Sequence, residues 1–412
     1  MSTIARRTFL GTGLLAAGGA FLAPRLTFAA AAGDSRLIVV LMRGALDGLA
    51  AVPPHGDHDY AALRAELAIA PPGGANGALP LDALFGLHPK LDFLHESYGA
   101  GELTVFHALA TAYRERSHFD GQDVLENGSA RAHALQSGWL NRALAAQPRE
   151  RRGPGRELGV ALGQNVPLVM RGPAAVASWS PSRLAALDED TLQRLADLYA
   201  ADPLLSQRLA DALAADAIAT AGSSASDGEG ADGMLARDRG AARYGEVIHA
   251  AAAFLARDDG PRVAVFDTIG WDTHANEGGA QGQLGARLAA LDAGLRTLKA
   301  QLGPAWGRTA IVMLTEFGRT AATNGTRGTD HGTATAAFLL GGAVRGGRVV
   351  ADWPGLSSRA LYQQRDLAPT LDARALLKGV LHEHLGIPER ELDSSVFPES
   401  AAVRPLRDLF RA

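Results

Sequence analysis

The sequence contains no cysteine among its 412 residues. This absence excludes disulfide bonds, thiolate metal ligands and thiol nucleophiles. Any metal ion must therefore be held by histidine, aspartate and glutamate side chains. The chain supplies 12 histidines and 44 acidic residues from which such a site can be built.

The sequence also lacks an excess of positive charge. Its 40 lysine and arginine residues are outnumbered by the acidic residues, which gives a formal net charge of −4. A nucleic acid or an anionic membrane surface is therefore not an expected partner.

The N-terminus predicts an export signal. Arg6 and Arg7 precede the uncharged stretch Thr8–Pro24, and small residues over Phe28–Gly33 fit a cleavage site. The alternative is an uncleaved anchor, but about 17 uncharged residues that include four glycines barely span ~30 Å of hydrocarbon. We therefore predict a twin-arginine signal peptide over residues 1–32, the twin-arginine translocase as a partner during export, a periplasmic or secreted location, and no stable membrane span after cleavage.

Short apolar runs between longer helical patterns predict an α/β fold with a mostly parallel sheet. The runs are Leu37–Met42, Leu103–Leu109, Val166–Met170, Val263–Phe266, Ile311–Leu314 and Ala336–Leu340. Leucines from Leu284 to Leu302, spaced alternately four and three apart, predict a helix with one apolar stripe packed on this sheet. Asp267 to Glu316 is therefore expected to be a strand, a crossover helix and the next strand.

The remaining domain organisation follows from composition. We predict one α/β domain over residues 33–412, with a helical insert at about 184–257 that contains a flexible loop at 222–235. The segment Asp366–Leu385 is expected to form a final helix on the sheet.

Polar clusters follow or border the predicted strands, where open parallel sheets bind ligands. Asp272 and His274 are two residues apart, so an extended segment would point both side chains the same way. Asp330-His331 lies between two glycines before a strand, and Glu316 ends the strand before it. Asp47 follows the first strand in a glycine-flanked turn, where it serves either as a turn residue or as part of a site.

These residues together predict a metal site, because helix caps and turns do not require so many acidic and histidine side chains beside strand ends. Six side chains are expected to hold one or two divalent ions: Asp47, Asp272, His274, Glu316, Asp330 and His331. Zinc is the first expectation, with manganese, calcium or magnesium as alternatives. A weaker candidate site combines His55 and His58 with Asp57 and Asp59.

Ser117 admits two interpretations. With Asp120 it forms an S-x-x-D pattern, which is typical of a helix N-cap. A hydroxyl at a helix N-terminus also lies where backbone N–H groups favour an anion, which suits a nucleophile attacking a phosphate or sulfate ester.

An ordered set of motifs along the chain resembles one exported bacterial family of unknown function, DUF1501. The motifs are Gly44–Gly48, Leu87-His88-Pro89, Ser117-His118-Phe119-Asp120, Gly138-Trp139-Leu140, Trp271-Asp272-Thr273-His274, Thr315-Glu316-Phe317-Gly318-Arg319 and Asp330-His331-Gly332. That family resembles the alkaline phosphatase and sulfatase superfamily, which implies an α/β sheet with two divalent metals at the strand ends.

The resemblance also implies roles for individual residues. Asp47 resembles the acid after the first strand, and Asp272 with His274 resembles a metal-binding pair. Glu316 takes the place of an Asp-His motif, Asp330-His331 resembles the last histidine motif, and Ser117 matches the nucleophile. The narrow Asp272–His274 spacing and the missing histidine after Glu316 depart from phosphatases, so the expected number of metals is one or two.

The leading hypothesis is an exported metal-dependent hydrolase of a phosphate or sulfate ester. Ser117 is the expected nucleophile, and Arg43, Arg116 or Arg319 is expected to clamp the anion. The runner-up is a non-catalytic envelope protein that uses the same fold to bind a polymer or a partner protein. A mutase that moves a phosphate within a sugar acid is disfavoured by export.

Overall fold

The computed structural model describes residues 34–147, 157–181, 189–220 and 236–411. The expected signal peptide at 1–32 and the expected flexible loop at 222–235 lie outside the described residues. None of the described helices has both the length and the apolar character that a membrane crossing requires.

A nine-stranded sheet forms the centre of the fold, and a separate two-stranded hairpin accompanies it. The strands in chain order are β1 (Arg36–Arg43), β2 (Leu79–Pro80), β3 (Gly86–Leu87), β4 (Leu103–Ala110), β5 (Gly159–Leu162), β6 (Val176–Trp179), β7 (Val263–Ile269), β8 (Thr309–Leu314), β9 (Thr335–Leu340), β10 (Arg348–Val350) and β11 (Leu371–Asp372). The order across the large sheet is β10-β4-β9-β8-β1-β7-β5-β6, β11 also pairs with β4, and β2 and β3 form the hairpin.

Strand β1 lies inside the sheet and pairs in parallel with β7 on one side and β8 on the other. Strand β9 runs antiparallel to both of its neighbours, β8 and β4. The predicted α/β fold with a mostly parallel sheet is confirmed. The reversed strand places the N-terminal end of β9 at the same edge as the carboxyl ends of the parallel strands.

Helices cover both faces of this sheet. They are α1 (Gly48–Ala51), α2 (Tyr60–Arg64), α3 (Asp92–Gly99), α4 (His118–Asn127), α5 (Trp139–Ala146), α6 (Glu189–Tyr199), α7 (Pro203–Thr220), α8 (Ala236–Ala256), α9 (Gln283–Leu302), α10 (Ala373–Glu383) and α11 (Glu389–Glu391). Short 3₁₀ segments occur at Ala65–Leu67, Leu168–Met170 and Gly303–Arg308, and a π-helical turn at Leu392–Val396.

Alternate residues of β1 enter opposite core layers, as the period of a strand requires. Ile38 and Val40 pack with the layer that contains α9. Leu37 and Val39 pack with the layer that contains α10. The predicted leucine stripe of α9 is buried along its whole length, and each such side chain contributes roughly 1.5–3 kcal/mol by leaving water.

Two details of the predicted elements are corrected. Val166–Met170 is not a strand: Pro167 precedes a 3₁₀ turn over Leu168–Met170, and a proline cannot donate to a sheet ladder. The final helix begins at Ala373 instead of Asp366, because Asp372 caps it by accepting a hydrogen bond from the backbone N–H of Arg374.

In the described part of the expected insert at 184–257, the regular elements are α6, α7 and α8. Ile248, Ala251 and Phe254 of α8 are fully buried in the same core layer as α9. The C-terminal half of α8 therefore belongs to the layer of helices that covers the sheet.

Candidate metal centre

The candidate site lies at the sheet edge where β4, β7 and β8 end and β9 begins. His118 is the first residue of α4, in the connection that follows β4. Asp272 and His274 follow β7, and Glu316 follows β8. His331 precedes β9, and the antiparallel direction of β9 brings it to this same edge.

Three histidines converge on the carboxylate of Asp272. The Nε2 atoms of His274 and His331 lie 3.0 Å and 3.2 Å from its Oδ1. The Nε2 of His118 lies 3.4 Å from its Oδ2. Ligand atoms of His118, Asp272 and His331 all lie within 4.8 Å of one another, which is close enough to share one cation.

The outer nitrogen of each imidazole faces an acceptor on the side away from Asp272. His118 Nδ1 donates to Glu316 Oε1 at 2.8 Å, and His331 Nδ1 donates to the backbone oxygen of Arg116 at 2.9 Å. His274 Nδ1 lies 3.4 Å from Asp330 Oδ1. Such outer partners fix the tautomer of metal-binding histidines and leave the Nε2 lone pair facing the ion.

The inner nitrogens fit a cation in two further respects. The Nε2 atoms of His274 and His331 lie 3.0 Å apart, so a single ion can reach both. The Nε2 of His118 is buried and makes no hydrogen bond within the part of the chain that the structure describes. A cation among these nitrogens would satisfy all three lone pairs.

Glu316 lies behind His118, where it orients the imidazole. It also accepts hydrogen bonds from the backbone N–H of Gly44 at 2.9 Å, from Gln122 at 3.2 Å and from the hydroxyl of Thr315 at 2.8 Å. Burial raises the pKa of Glu316, but the hydrogen bonds, that from His118 foremost, hold it below its ordinary value. The same bond raises the pKa of His118.

Arg319 orients Asp272 from behind. Its side chain is fully buried, contacts Asp272 through Nη1, and donates through Nε to the hydroxyl of Thr329 at 3.1 Å. Burial raises the pKa of Asp272, and this guanidinium lowers it below its ordinary value. The guanidinium of Arg319 thus faces Asp272 and Thr329 and is not exposed to solvent.

The other two expected clamps lie at the rim. Arg43 is about one fifth exposed and pairs with Glu126 and Asp267, both at 2.7 Å. Arg116 is also about one fifth exposed and pairs with Asp366 at 2.7 Å. Both guanidinium groups are thus held by carboxylates at the edge of the site.

Ser117 is the N-cap residue of α4, but its side chain makes no capping hydrogen bond. Its backbone N–H donates to the hydroxyl of Tyr113 at 3.2 Å. The residue that follows it, His118, is one of the three converging histidines. Ser117 therefore combines the position of a cap with a place beside the candidate metal centre.

Asp47 lies in a different, fully buried cluster. Its Oδ1 caps α1 by accepting from the backbone N–H groups of Leu49 and Ala50, at 2.9 Å and 3.1 Å. Its Oδ2 pairs with Arg64, which also lies 3.5 Å from Glu277. Both oxygens of Asp47 are thus occupied by partners other than the three converging histidines. The buried Arg64 neutralises the charge of this carboxylate.

Asp330 supports His274 instead of joining the converging nitrogens. Its Oδ1 accepts from the side-chain amide of Asn324 at 3.1 Å, and its side chain is about half exposed. Of the six predicted ligands, the structure thus gathers Asp272, His274 and His331 at the centre and places Glu316 and Asp330 behind histidines.

His118 is the residue that sequence reasoning missed. It stands in the motif Ser117-His118-Phe119-Asp120, from which Ser117 was singled out. The sequence signal that could have found His118 is its position. It lies at the start of a helix, after the loop that follows a buried strand. The weaker candidate group, Asp57, His58 and Asp59, forms a surface cluster in which the His58 side chain is 88 % exposed.

These features define an α/β protein with a candidate metal centre of three histidines and one aspartate at the carboxyl edge of its sheet. The chain belongs to the family described as "protein of unknown function (DUF1501)", which matches residues 107–396. No curated protein matches the chain.

Solved structures with similarity to the chain include two that are distant in sequence. One is Ps i-CgsB in complex with k-i-k-neocarrahexaose, at 11% identity and a TM-score of 0.39, covering 90% of this chain and 77% of that one. The other is the C-terminal periplasmic domain of EcEptC from Escherichia coli in complex with Zn, at 12% identity and a TM-score of 0.27, covering 74% of this chain and 72% of that one.

Proposed function

We propose that this protein is an exported, metal-dependent hydrolase of a phosphate or sulfate ester. The observation that carries the proposal is the convergence of three imidazole Nε2 atoms on the carboxylate of Asp272. His118, Asp272, His274 and His331 are the proposed ligands.

The donor set favours zinc among the divalent ions. Zinc binds imidazole and carboxylate at roughly 2.0–2.2 Å, so tetrahedral ligand atoms lie about 3.4 Å apart. The separations of 3.0 to 3.4 Å among these side chains are near that value. Calcium and magnesium prefer all-oxygen ligands, so three imidazoles select against both ions.

The centre is accessible in the way that a catalytic metal requires. The side chains of Asp272 and His274 are 38 % and 44 % exposed, so one side of the ligand group faces solvent. Catalytic zinc keeps a position for water or substrate, and with four protein ligands the ester would take a fifth position on this exposed side. A bound ion would supply a Lewis acid that polarises the ester and acidifies an oxygen nucleophile.

We assign the remaining roles from position. Ser117 is the proposed nucleophile, because its hydroxyl does not cap α4 and the next residue is a proposed ligand. Arg43 and Arg116 are the proposed anion clamps at the rim. Glu316 and Arg319 hold His118 and Asp272 in place. Asp330 supports His274.

Location is proposed from the sequence. The paired arginines at Arg6 and Arg7 support export by the twin-arginine translocase and a periplasmic or secreted protein. That route carries folded proteins, which suits a chain that loads its metal before transport and has no disulfides to form afterwards.

The test combines metal analysis with turnover. We expect the exported protein to contain bound zinc, or to take it up after chelation, and to hydrolyse a generic aryl phosphate or aryl sulfate. Ser117→Ala should abolish turnover and leave zinc content unchanged. Ser394→Ala is the matched control, because Ser394 is exposed and its hydroxyl donates to the backbone of Arg390 within the same turn.

Two results would overturn the proposal. Protein that stays metal-free on reconstitution with zinc, manganese, calcium or magnesium has no metal centre. Protein that binds zinc but cleaves neither class of ester is not the proposed hydrolase, and binding of an envelope polymer or a partner protein then becomes the better description. Unchanged turnover in Ser117→Ala would remove Ser117 from the mechanism.

A further inference from the structure

We infer that Glu277 is a positioning residue that ties together the two ligand-bearing loops of the candidate metal centre, and that Asp47 and Arg64 hold Glu277 in place. The inference rests on the proposed metal centre. It gives a role to three buried charged residues that lie outside the group of converging nitrogens.

Glu277 joins the two loops through one carboxylate oxygen. Its side chain is fully buried, and Oε2 accepts hydrogen bonds from the hydroxyls of Thr273 and Thr329, both at 2.9 Å. Thr273 lies between the proposed ligands Asp272 and His274. Thr329 lies two residues before the proposed ligand His331.

The backbones of the two loops also run side by side. The N–H of Thr329 donates to the carbonyl of Thr273 at 3.2 Å, and the N–H of Glu277 donates to the carbonyl of Arg327 at 3.0 Å. A Cβ at Gly328 would lie 2.4 Å from the backbone of His274, so only glycine permits this approach. The loops are close enough for one carboxylate to set their spacing.

A second path leads from Glu277 to Asp272. The hydroxyl of Thr329 donates its single proton to Glu277 and accepts a hydrogen bond from Arg319 Nε at 3.1 Å. Arg319 in turn contacts Asp272. Glu277 therefore influences Asp272 both through Thr273 and through Arg319.

Asp47 and Arg64 fix the other oxygen of Glu277. Arg64 pairs with Asp47 and lies 3.5 Å from Glu277 Oε1. Two carboxylates and one guanidinium would leave an excess negative charge in a buried cluster, which is costly. Burial, and then the nearby Asp47, raise the pKa of Glu277 above its ordinary value, which favours the neutral acid and offsets this excess charge. In either protonation state Oε2 accepts from the two threonines.

This arrangement makes the effect of a glutamine predictable. Its carbonyl oxygen can accept from Thr273 and Thr329, and its amide can donate toward Asp47 while giving up only the 3.5 Å contact from Arg64. Glu277→Gln should therefore preserve the connection, whereas Glu277→Ala removes it. Removing a group that orients metal ligands typically lowers metal affinity by about 10 to 100-fold.

The experiment measures zinc dissociation constants of the full exported chain by competition with a chromophoric chelator, together with thermal unfolding of the metal-free protein. We expect Glu277→Ala to weaken zinc binding by about 10 to 100-fold and Glu277→Gln to stay within about threefold of wild type. Asp292→Ala is the matched control. Asp292 is a buried carboxylate in the middle of α9 that accepts hydrogen bonds from the backbone of Phe93 and Leu94, and neither of these residues belongs to a ligand loop. It should lower Tm and leave zinc affinity unchanged.

A milder pair of variants covers the case in which Glu277→Ala does not fold. Thr329→Val keeps the shape of the side chain and removes the hydroxyl, so zinc affinity should fall by about 10-fold, and Thr329→Ser should restore it.

The outcomes separate the two proposals. Wild-type protein that binds no zinc overturns both. Wild-type binding with unchanged affinity in Glu277→Ala and Thr329→Val overturns the positioning role alone. Equal losses of affinity in Glu277→Ala and Asp292→Ala also overturn it, because the effect would then follow general stability.

Discussion

The Nε2 atoms of His274 and His331 face each other at 3.0 Å. His331 has its proton on Nδ1, which donates to the backbone oxygen of Arg116. The Nδ1 of His274 faces the carboxylate of Asp330, whose pKa is lowered chiefly by the hydrogen bond from Asn324. With an acceptor beside each Nδ1 atom, both inner nitrogens can direct a lone pair at one shared cation.

Removing either histidine should weaken zinc binding more than removing a residue that only orients a ligand does. We expect His274→Ala and His331→Ala each to raise the zinc dissociation constant by at least about 100-fold, because a ligand atom is lost. Isothermal titration calorimetry, in which zinc is added to protein stripped of metal by a chelator, measures these dissociation constants. His133→Ala, at an exposed histidine of the neighbouring surface, should leave the constant unchanged. Equal affinity in all three variants would contradict the proposed ligand set.

Glu316 should affect the metal through His118. Glu316→Gln removes the charge that accepts the Nδ1 proton and should weaken zinc binding by about 10-fold. His118→Ala combined with Glu316→Gln should be no worse than His118→Ala alone, because the carboxylate acts through that imidazole. An additive loss in the double variant would show that Glu316 contacts the ion itself.

Three buried histidines outside the site should make the fold sensitive to acid. Burial lowers the pKa of His88, His107 and His384 from about 6.5 to about 4. Between these values the unfolded chain binds protons that the folded chain does not. The free energy of unfolding is therefore fully present above pH 6.5 and falls as the pH drops toward 4, by roughly 3 kcal/mol for each histidine.

Denaturant unfolding of the metal-free protein as a function of pH measures this loss. His384→Gln should reduce the loss between pH 6.5 and 4 by about a third, and His58→Gln, at an exposed histidine, should not change it. If His384→Gln does not change the pH dependence of the free energy of unfolding, the role of this histidine in the acid sensitivity is refuted.

The leucine stripe of α9 should dominate the stability of its layer. Leu291→Ala removes a side chain that is 2% exposed and should lower the free energy of unfolding by about 2–5 kcal/mol. Leu204→Ala, at a position that is 65% exposed, should change it by about 0.5 kcal/mol or less. Chemical denaturation gives both values, and a similar effect at the two positions would contradict the packing described for α9.

Export should depend on the paired arginines. Replacing Arg6 and Arg7 together by lysine should prevent the protein from reaching the envelope, because the translocase reads the arginine pair itself. Cell fractionation followed by immunodetection measures the distribution. The unchanged leader is the positive control, and equal export of the double variant would exclude the twin-arginine route.

Long apolar runs made most of the sheet predictable. Strands β1, β4, β7, β8 and β9 coincide with runs of β-branched and apolar residues, and α9 coincides with its leucine spacing. Strands β5 and β6 have only four residues each, which is too short for a periodic signal. The direction of β9 depends on how the preceding loop turns, and no local sequence pattern predicts the path of that loop.

The candidate site was partly predictable for a similar reason. Asp272, His274 and His331 stand in dense polar clusters beside strands, so spacing singles them out. The partner of Asp47 does not show in the sequence, because Arg64 lies 17 residues away on a separate helix. The position of Arg319 behind Asp272 depends on packing between two loops, and only the folded chain brings them together.

The complete set of proposed ligands exists only in the assembled sheet. Asp272 and His274 are neighbours along the chain, but His331 and His118 lie beside them only when β4, β9, β8, β1 and β7 stand in that order across the sheet. The unfolded chain therefore offers a two-ligand fragment, and the complete set exists only in the native topology. An ion that selects this set stabilises the native state by mass action, by about 2.7 kcal/mol at a hundredfold excess over its dissociation constant. Metal supply would thereby act as a thermodynamic check on the long-range strand pairing of each chain.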